Sequence, residues 1–131
     1  MPREFQVVVD CADPDRMATF WAAALDYTVD GPPGEHDDWM EFQVAQGFPA
    51  DERVDFAAVT DPAGGGRICF IAVPEPKQGK NRLHLDIRAE QVDALVARLR
   101  DLGATILRTG RERGQYFVTM ADIEGNEFCV H

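Results

Sequence analysis

The stretch Lys80-Asn81-Arg82-Leu83-His84-Leu85-Asp86-Ile87-Arg88 alternates strictly between polar and apolar side chains. Leu83, Leu85 and Ile87 share one side; Arg82, His84, Asp86 and Arg88 share the other. A period of two predicts a strand with one buried face and one polar face. The polar face carries a guanidinium, an imidazole and a carboxylate in a row, so pocket chemistry is expected to pass through it. A helix is predicted next, over Glu90 to Leu102. Val92, Leu95, Val96, Leu99 and Leu102 form its apolar stripe, and Gly103 is placed to end it. Three further strands follow: Ala104 to Thr109, Gln115 to Met120 and Glu127 to His131. Polar turns at Arg111-Glu112-Arg113-Gly114 and Asp122-Ile123-Glu124-Gly125-Asn126 separate them. The second turn lacks the ligand spacing and distant glutamate of a calcium loop.

The first half repeats this order. Phe5 to Cys11 reads as a buried strand. Asp13-Pro14 opens a helix, because Asp13 can accept from the free amides of the first turn and Pro14 sits where no amide is missed. Met17, Phe20, Trp21, Ala24 and Leu25 then form one helical stripe. Asp38 to Ala45 alternates and is predicted as a strand, with Trp39, Glu41 and Gln43 on its polar side. Arg53 to Thr60 and Arg67 to Val73 complete the half. Between them, Asp61-Pro62-Ala63-Gly64-Gly65-Gly66 reads as a hairpin connection, since no helix follows to hold a phosphate. Val8-Val9-Asp10 lies over His84-Leu85-Asp86 at an offset of 76, and Met17, Phe20 and Trp21 lie over Val92, Leu95 and Val96 at 75. The expectation is an α+β domain spanning 1–131, built from two βαβββ modules at 4–76 and 80–131. Each helix would cover one face of its sheet, and the opposite faces would enclose a cup.

Composition narrows the function. The chain has 131 residues, 45% of them hydrophobic, which suits a packed globular domain. Thirteen basic against 23 acidic side chains leave a net charge of −10. That argues against nucleic acid and anionic membranes as partners. No apolar run approaches the ~20 residues of a membrane span. The start shows no signal-peptide core, and Cys11, Cys69 and Cys129 are three, far apart and without a CxxC, so a reducing cytoplasm is expected.

Several motifs together resemble the vicinal oxygen chelate superfamily, which includes glyoxalase I, extradiol dioxygenases and bleomycin-resistance proteins. They are Asp10-Cys11-Ala12-Asp13-Pro14 with Phe20-Trp21, Val73-Pro74-Glu75-Pro76-Lys77, Lys80 to Asp86, and Asp122 with Gly125-Asn126-Glu127-Phe128-Cys129. The chain is most similar to short bacterial glyoxalase-like proteins of that group. The resemblance implies a cup that binds a small molecule and a homodimeric assembly. In metal-dependent members, one divalent metal takes two neighbouring substrate oxygens. Carried over by position, the ligand sites fall at Gln6, Ile71, Arg82 and Cys129. Ile71 and Arg82 cannot be ligands, Gln6 is a poor one alone, and Cys129 suits a soft metal. The usual set is not competent, so glyoxalase I and extradiol dioxygenase activities are not expected.

A displaced site remains. His84 is two residues past Arg82 and Glu127 two before Cys129, so each keeps the face of its strand. His84 and Glu127 would hold zinc, nickel, iron or manganese, or serve as an acid/base pair. Asp10, Glu41, Asp86 and His131 are candidates to join them. Arg82 would orient a substrate, with Asp86, Trp39 and Glu41 as further substrate-binding candidates. Each also has a bland reading: His84 as a hydrogen-bonded residue, Glu127 in an ion pair with Arg82 or His84, Arg82 neutralising a nearby acid, Cys129 as a small apolar filler. Two functions follow from the resemblance. One is a lyase or isomerase acting on a substrate with vicinal oxygens. The alternative is a non-catalytic binding or sequestering protein of bleomycin-resistance type, for which the net charge favours a cationic ligand.

Overall fold

The computed structural model describes residues 1–131. The chain divides into two compact units, Met1–Pro76 and Lys77–His131. The first contains β1 (Val7–Cys11), α1 (Pro14–Leu25), β2 (Thr28–Val29), α2 (Trp39–Ala45), a 3-10 turn (Ala50–Glu52), β3 (Phe56–Thr60) and β4 (Arg67–Ala72). The second contains β5 (Leu85–Ile87), α3 (Val92–Asp101), β6 (Thr105–Glu112), β7 (Gln115–Ala121) and β8 (Glu127–Val130). Each unit folds its four strands into one sheet, in the orders β1-β4-β3-β2 and β5-β8-β7-β6. In both, the first strand runs parallel to the last and the other pairs are antiparallel. The fold is α+β, strand-helix-strand-strand-strand twice over, with α2 inserted in the first copy.

In the first unit, Asp13 caps α1 by accepting from the Arg16 amide at 3.2 Å, and Pro14 takes the first helical position. Met17, Phe20, Trp21 and Ala24 are buried, so the predicted stripe is the face packed on β3 and β4. Phe20 and Trp21 meet edge to face at 5.4 Å. The glycine run after β3 is a hairpin connection. Asp61 organises it by accepting from the amides of Ala63 and Gly65 at 2.8 and 3.1 Å.

One predicted element is overturned. Asp38 to Ala45 is not a strand; Trp39–Ala45 is the helix α2. Asp38 caps the first turn by accepting from the Glu41 amide at 2.7 Å, and Glu41 reaches back to accept from the Asp37 amide, just ahead of the cap, at 3.0 Å. Trp39, Phe42 and Gln43 turn inward at helical spacing, while Met40 and Val44 are exposed. Trp39 packs on Phe56 at a ring separation of 5.0 Å. The buried Gln43 side chain bonds to the Val54 amide and carbonyl at 2.9 and 2.8 Å, which pins the segment leading into β3. The missing second strand of the module is β2, only two residues long.

In the second unit, Val96 and Leu99 of α3 are buried, and Leu85, Ile87, Phe128 and Val130 point toward the helix side. Gly103, at a φ of 110°, stops the helix in a conformation that disfavours any side chain. Arg113 and Gly114 both take positive φ, 51° and 77°, which suits the twist of the tight β6–β7 hairpin. The opening strand is shorter than the alternation predicted: β5 starts at Leu85, and Arg82 lies in the bend before it. Asp122 is buried and accepts from the amides of Glu124 and Asn126 at 2.9 and 3.0 Å, so its carboxylate serves the β7–β8 turn. No helix is long and apolar enough to cross a membrane.

The Asp38 cap gives a test of α2. Asp38→Ala should cost about 1 kcal/mol, seen as a thermal midpoint roughly 4 °C lower, while Asp38→Asn keeps most of the stability. Equal midpoints for wild type and Asp38→Ala would show that the cap does not hold this helix.

Candidate functional site

In the second unit, α3 covers one face of the sheet and the other face is open. Strand register decides what that face presents. Asp86 of β5 stands opposite Cys129 of β8, Cys129 opposite Thr119 of β7, and Thr119 opposite Arg108 of β6. Because side chains on directly opposed residues share a face, these four form one row across the sheet. Above the row is an open recess of about 1120 Å3. It is also lined by His84, Lys80, Glu127 and His131.

At the β5 end of the row three donors converge. His84 Nε2 lies 3.2 Å from Asp86 Oδ1, and the donor atoms of His84, Asp86 and Cys129 all lie within 4.8 Å of one another. His131 Nε2 is 3.7 Å from the other oxygen of Asp86, so one carboxylate sits between two imidazoles. Cys129 Sγ is 3.4 Å from Thr119 Oγ1. His84 and Asp86 are each about half exposed, so their ion pair alone stabilises little. An imidazole, a carboxylate and a thiol on neighbouring strands are a chemically suitable donor set for zinc or another borderline-soft divalent metal. His131 would then hold the ligating carboxylate in orientation.

The other predicted residues are dispersed. Glu127 does lie in the recess, but its partner is Lys80, which donates to its Oε2; neither Arg82 nor His84 fills that role. The Glu127 amide bonds to Asn81 Oδ1 at 3.3 Å, which fastens the start of β8 to the segment entering β5. The hydrogen bond from Lys80, helped by the charges of Lys80, Lys77 and His84, holds the Glu127 carboxyl below the usual glutamate range. Arg82 is exposed in its bend. Trp39 and Glu41 belong to α2 of the first unit, where Trp39 packs on Phe56 and donates to the Asp30 carbonyl at 3.3 Å, and Glu41 accepts from the Asp37 amide. Gln6 is exposed ahead of β1, and Ile71 stands between Asp10 and Phe56 in the first sheet. Among the lining residues that the sequence did not single out are Lys80, Thr119 and Arg108. The alternation at Lys80 to Arg88 contained Lys80, but only the β5–β8 pairing shows that it meets Glu127.

Charge is divided unevenly. The first unit carries four basic and fifteen acidic side chains, net −11; the second carries nine and eight, net +1. The residues that line the recess all belong to the nearly neutral unit.

The glyoxalase-like domain family matches residues 6–131. The chain belongs to this family. Several solved structures share its fold at low identity. The fosfomycin resistance protein FosX from Listeria monocytogenes, as a glutamate-to-glutamine mutant with Mn(II) and 1S,2S-dihydroxypropylphosphonic acid, is 14% identical at a TM-score of 0.68 over 100% of this chain and 90% of that one. A glyoxalase family protein from Bacillus cereus is 18% identical at 0.67 over 99% and 93%. A glyoxalase/bleomycin resistance protein/dioxygenase family enzyme from Burkholderia phytofirmans is 17% identical at 0.66 over 95% and 94%. No protein of curated function matches the sequence. The fold reading of the sequence, a member of the vicinal oxygen chelate superfamily, is thereby established.

The Lys80–Glu127 pair makes a pH prediction for this glyoxalase-like domain. Glu127 has a lowered pKa in the folded state, so its stabilising contribution is present above the unfolded glutamate value and disappears as pH falls through the lower folded value. In Lys80→Met, carboxyl NMR should show the Glu127 midpoint moving up toward that of an ordinary glutamate. A midpoint that stays put would mean Lys80 is not its partner.

Proposed function

We propose that this protein is a metal-dependent small-molecule enzyme of the lyase or isomerase type, acting on a substrate with vicinal oxygens. The observation that carries the reading is the convergence of His84, Asp86 and Cys129 within 4.8 Å on the open face of the second sheet. This trio replaces the His84–Glu127 pair expected from the sequence. A divalent metal held by these three would supply Lewis-acid polarisation of two neighbouring substrate oxygens. His131 would add a second imidazole beside Asp86, at 3.7 Å from its other oxygen. Glu127, held ionised by Lys80, presents a fixed ion pair at the recess wall rather than a proton donor. The FosX structure with a metal and a diol-bearing phosphonic acid supports a ligand of this general kind.

A second reading, a binding protein without chemistry, draws on one observation. The expected acid/base group Glu127 is tied to Lys80, so no unengaged carboxylic acid of that pair remains to move protons. Under either reading the unit that holds the recess is itself close to neutral.

The assembly proposed is a homodimer. Phe5 and Leu83 support it: they are 91% and 88% exposed, ahead of the edge strands β1 and β5. Sedimentation velocity should give twice the chain mass, and a single-chain mass would sink the dimer.

The deciding experiment is elemental analysis of protein purified without chelator or polyhistidine tag. Near-stoichiometric zinc, nickel, iron or manganese is expected in wild type, with the content falling at least about tenfold in His84→Ala and in Cys129→Ala. Wild-type protein that takes up none of these ions after incubation with each would overturn the metal reading and leave the binding protein.

A further inference from the structure

We propose that Arg108 forms an oxyanion subsite at the β6 end of the recess, so that the ligand is a small organic acid; the proposal deepens the site reading above and rests on it. Four observations place Arg108 there. The first is register. Arg108 stands opposite Thr119, which stands opposite Cys129. Its backbone is thus two strands, or about 10 Å, from that of Cys129, and its long side chain reaches over the same face.

The second is a bulge. The β6–β7 register shifts between Ile106 and Arg108, with Leu107 the extra residue. In a regular strand, neighbours point to opposite faces. Here both Leu107 and Arg108 line the recess. From the hairpin back to Arg108 the register is regular, so alternation puts the guanidinium on the face of Gly110, Phe117 and Thr119, and the bulge adds the apolar side chain of Leu107 beside it.

The third is the support beneath the guanidinium. Its central carbon sits 4.9 Å from the centroid of the Phe117 ring. Stacking on an aromatic face fixes the plane of the fork and leaves its edge for an anion. Phe117 can lie there because the residue opposite is Gly110: a Cβ at that position would be 3.0 Å from the ring's Cζ and 3.2 Å from its Cε1. A glycine inside a strand, with an aromatic ring laid over it, marks a close approach the site uses. The nearest carboxylate, Glu112, is 3.6 Å away with both partners about 60% exposed, a weak pair with which an incoming carboxylate competes.

The fourth is charge. Arg108 belongs to the unit with a net charge of +1, not to the one at −11. The trio and the Phe117-backed guanidinium line one recess, so a ligand that sets two neighbouring oxygens at the trio would turn its carboxylate toward the hairpin end of β6. Planar carboxylates and tetrahedral oxyanions both match the guanidinium fork.

The test is a ligand-observed NMR titration, with and without added zinc. The probes are 3,4-dihydroxybutanoate, its neutral amide, and inorganic phosphate. Wild-type protein should bind the acid at least about tenfold more tightly than the amide, as expected for one charged hydrogen-bonded contact. Arg108→Ala should lose that preference while keeping its thermal midpoint and its metal content. Arg108→Lys should recover only part of it, because a point charge lacks the fork and the stack. Gly110→Ala, which displaces the ring, should weaken acid binding and leave amide binding unchanged. Phosphate that competes with the acid in wild type and not in Arg108→Ala would extend the subsite to tetrahedral oxyanions; phosphate that does not compete confines it to carboxylates. Equal binding of acid and amide by wild type, or an acid preference that survives Arg108→Ala, overturns the subsite. Absence of binding by the acid in wild type overturns it as well. An Arg108-dependent preference in a protein that holds no metal would uphold the subsite and remove the metal reading, so the two stand or fall separately.

Discussion

Leu85–Ile87 runs parallel to Phe128–Val130, and the equivalent Val7–Cys11 runs parallel to Ile68–Ala72. This pairing of a unit's first strand with its last is the constraint on which the site depends. A parallel pair needs a long crossover, and here the helix and two antiparallel strands between them supply it. The result is that residues more than forty positions apart become neighbours. In the second unit that puts Asp86 beside Cys129, with Thr119 on the far side of Cys129. In the first, the same topology puts Asp10 beside Ile71, with Phe56 on the far side of Ile71. One scaffold therefore carries two rows. Only the second combines a carboxylate with a thiol and flanking imidazoles, so only it has the donor chemistry.

The same division governs electrostatics. A net charge averages over surfaces whose roles differ, and here the average conceals a strongly acidic unit and a nearly neutral one. With screening over about 8 Å at physiological salt, side chains that line a recess matter more to a bound ligand than the total.

Much of the fold was legible in the sequence because most elements agree with their local signals. Asp13-Pro14 starts a helix, Gly103 ends one, and the glycine run after Thr60 turns a hairpin. The failure at Asp38 to Ala45 has a specific cause. Met40, Phe42 and Val44 alternate by coincidence, and the buried set is Trp39, Phe42 and Gln43 at helical spacing. The signal that identifies this helix was present: Asp38 and Glu41 stand three apart, Asp38 capping the first turn and Glu41 reaching back to the Asp37 amide. Period alone is a poor arbiter over seven residues, and the cap would have decided it.

By itself, the sequence determined the two strand-helix-strand modules, the apolar faces of their helices and a polar face bearing His84 and Asp86. Those features are local, since periodicity, caps and turn residues act over a few positions. Only the tertiary structure decided that Glu127 belongs to Lys80, that Asp86 stands between His84 and His131, that Cys129 completes a donor trio, and that the β6–β7 register sets Arg108 on the same face. These depend on which strands pair and in what register. A shift of one residue would send every one of these side chains to the other face of the sheet, and no local pattern in the chain encodes that choice.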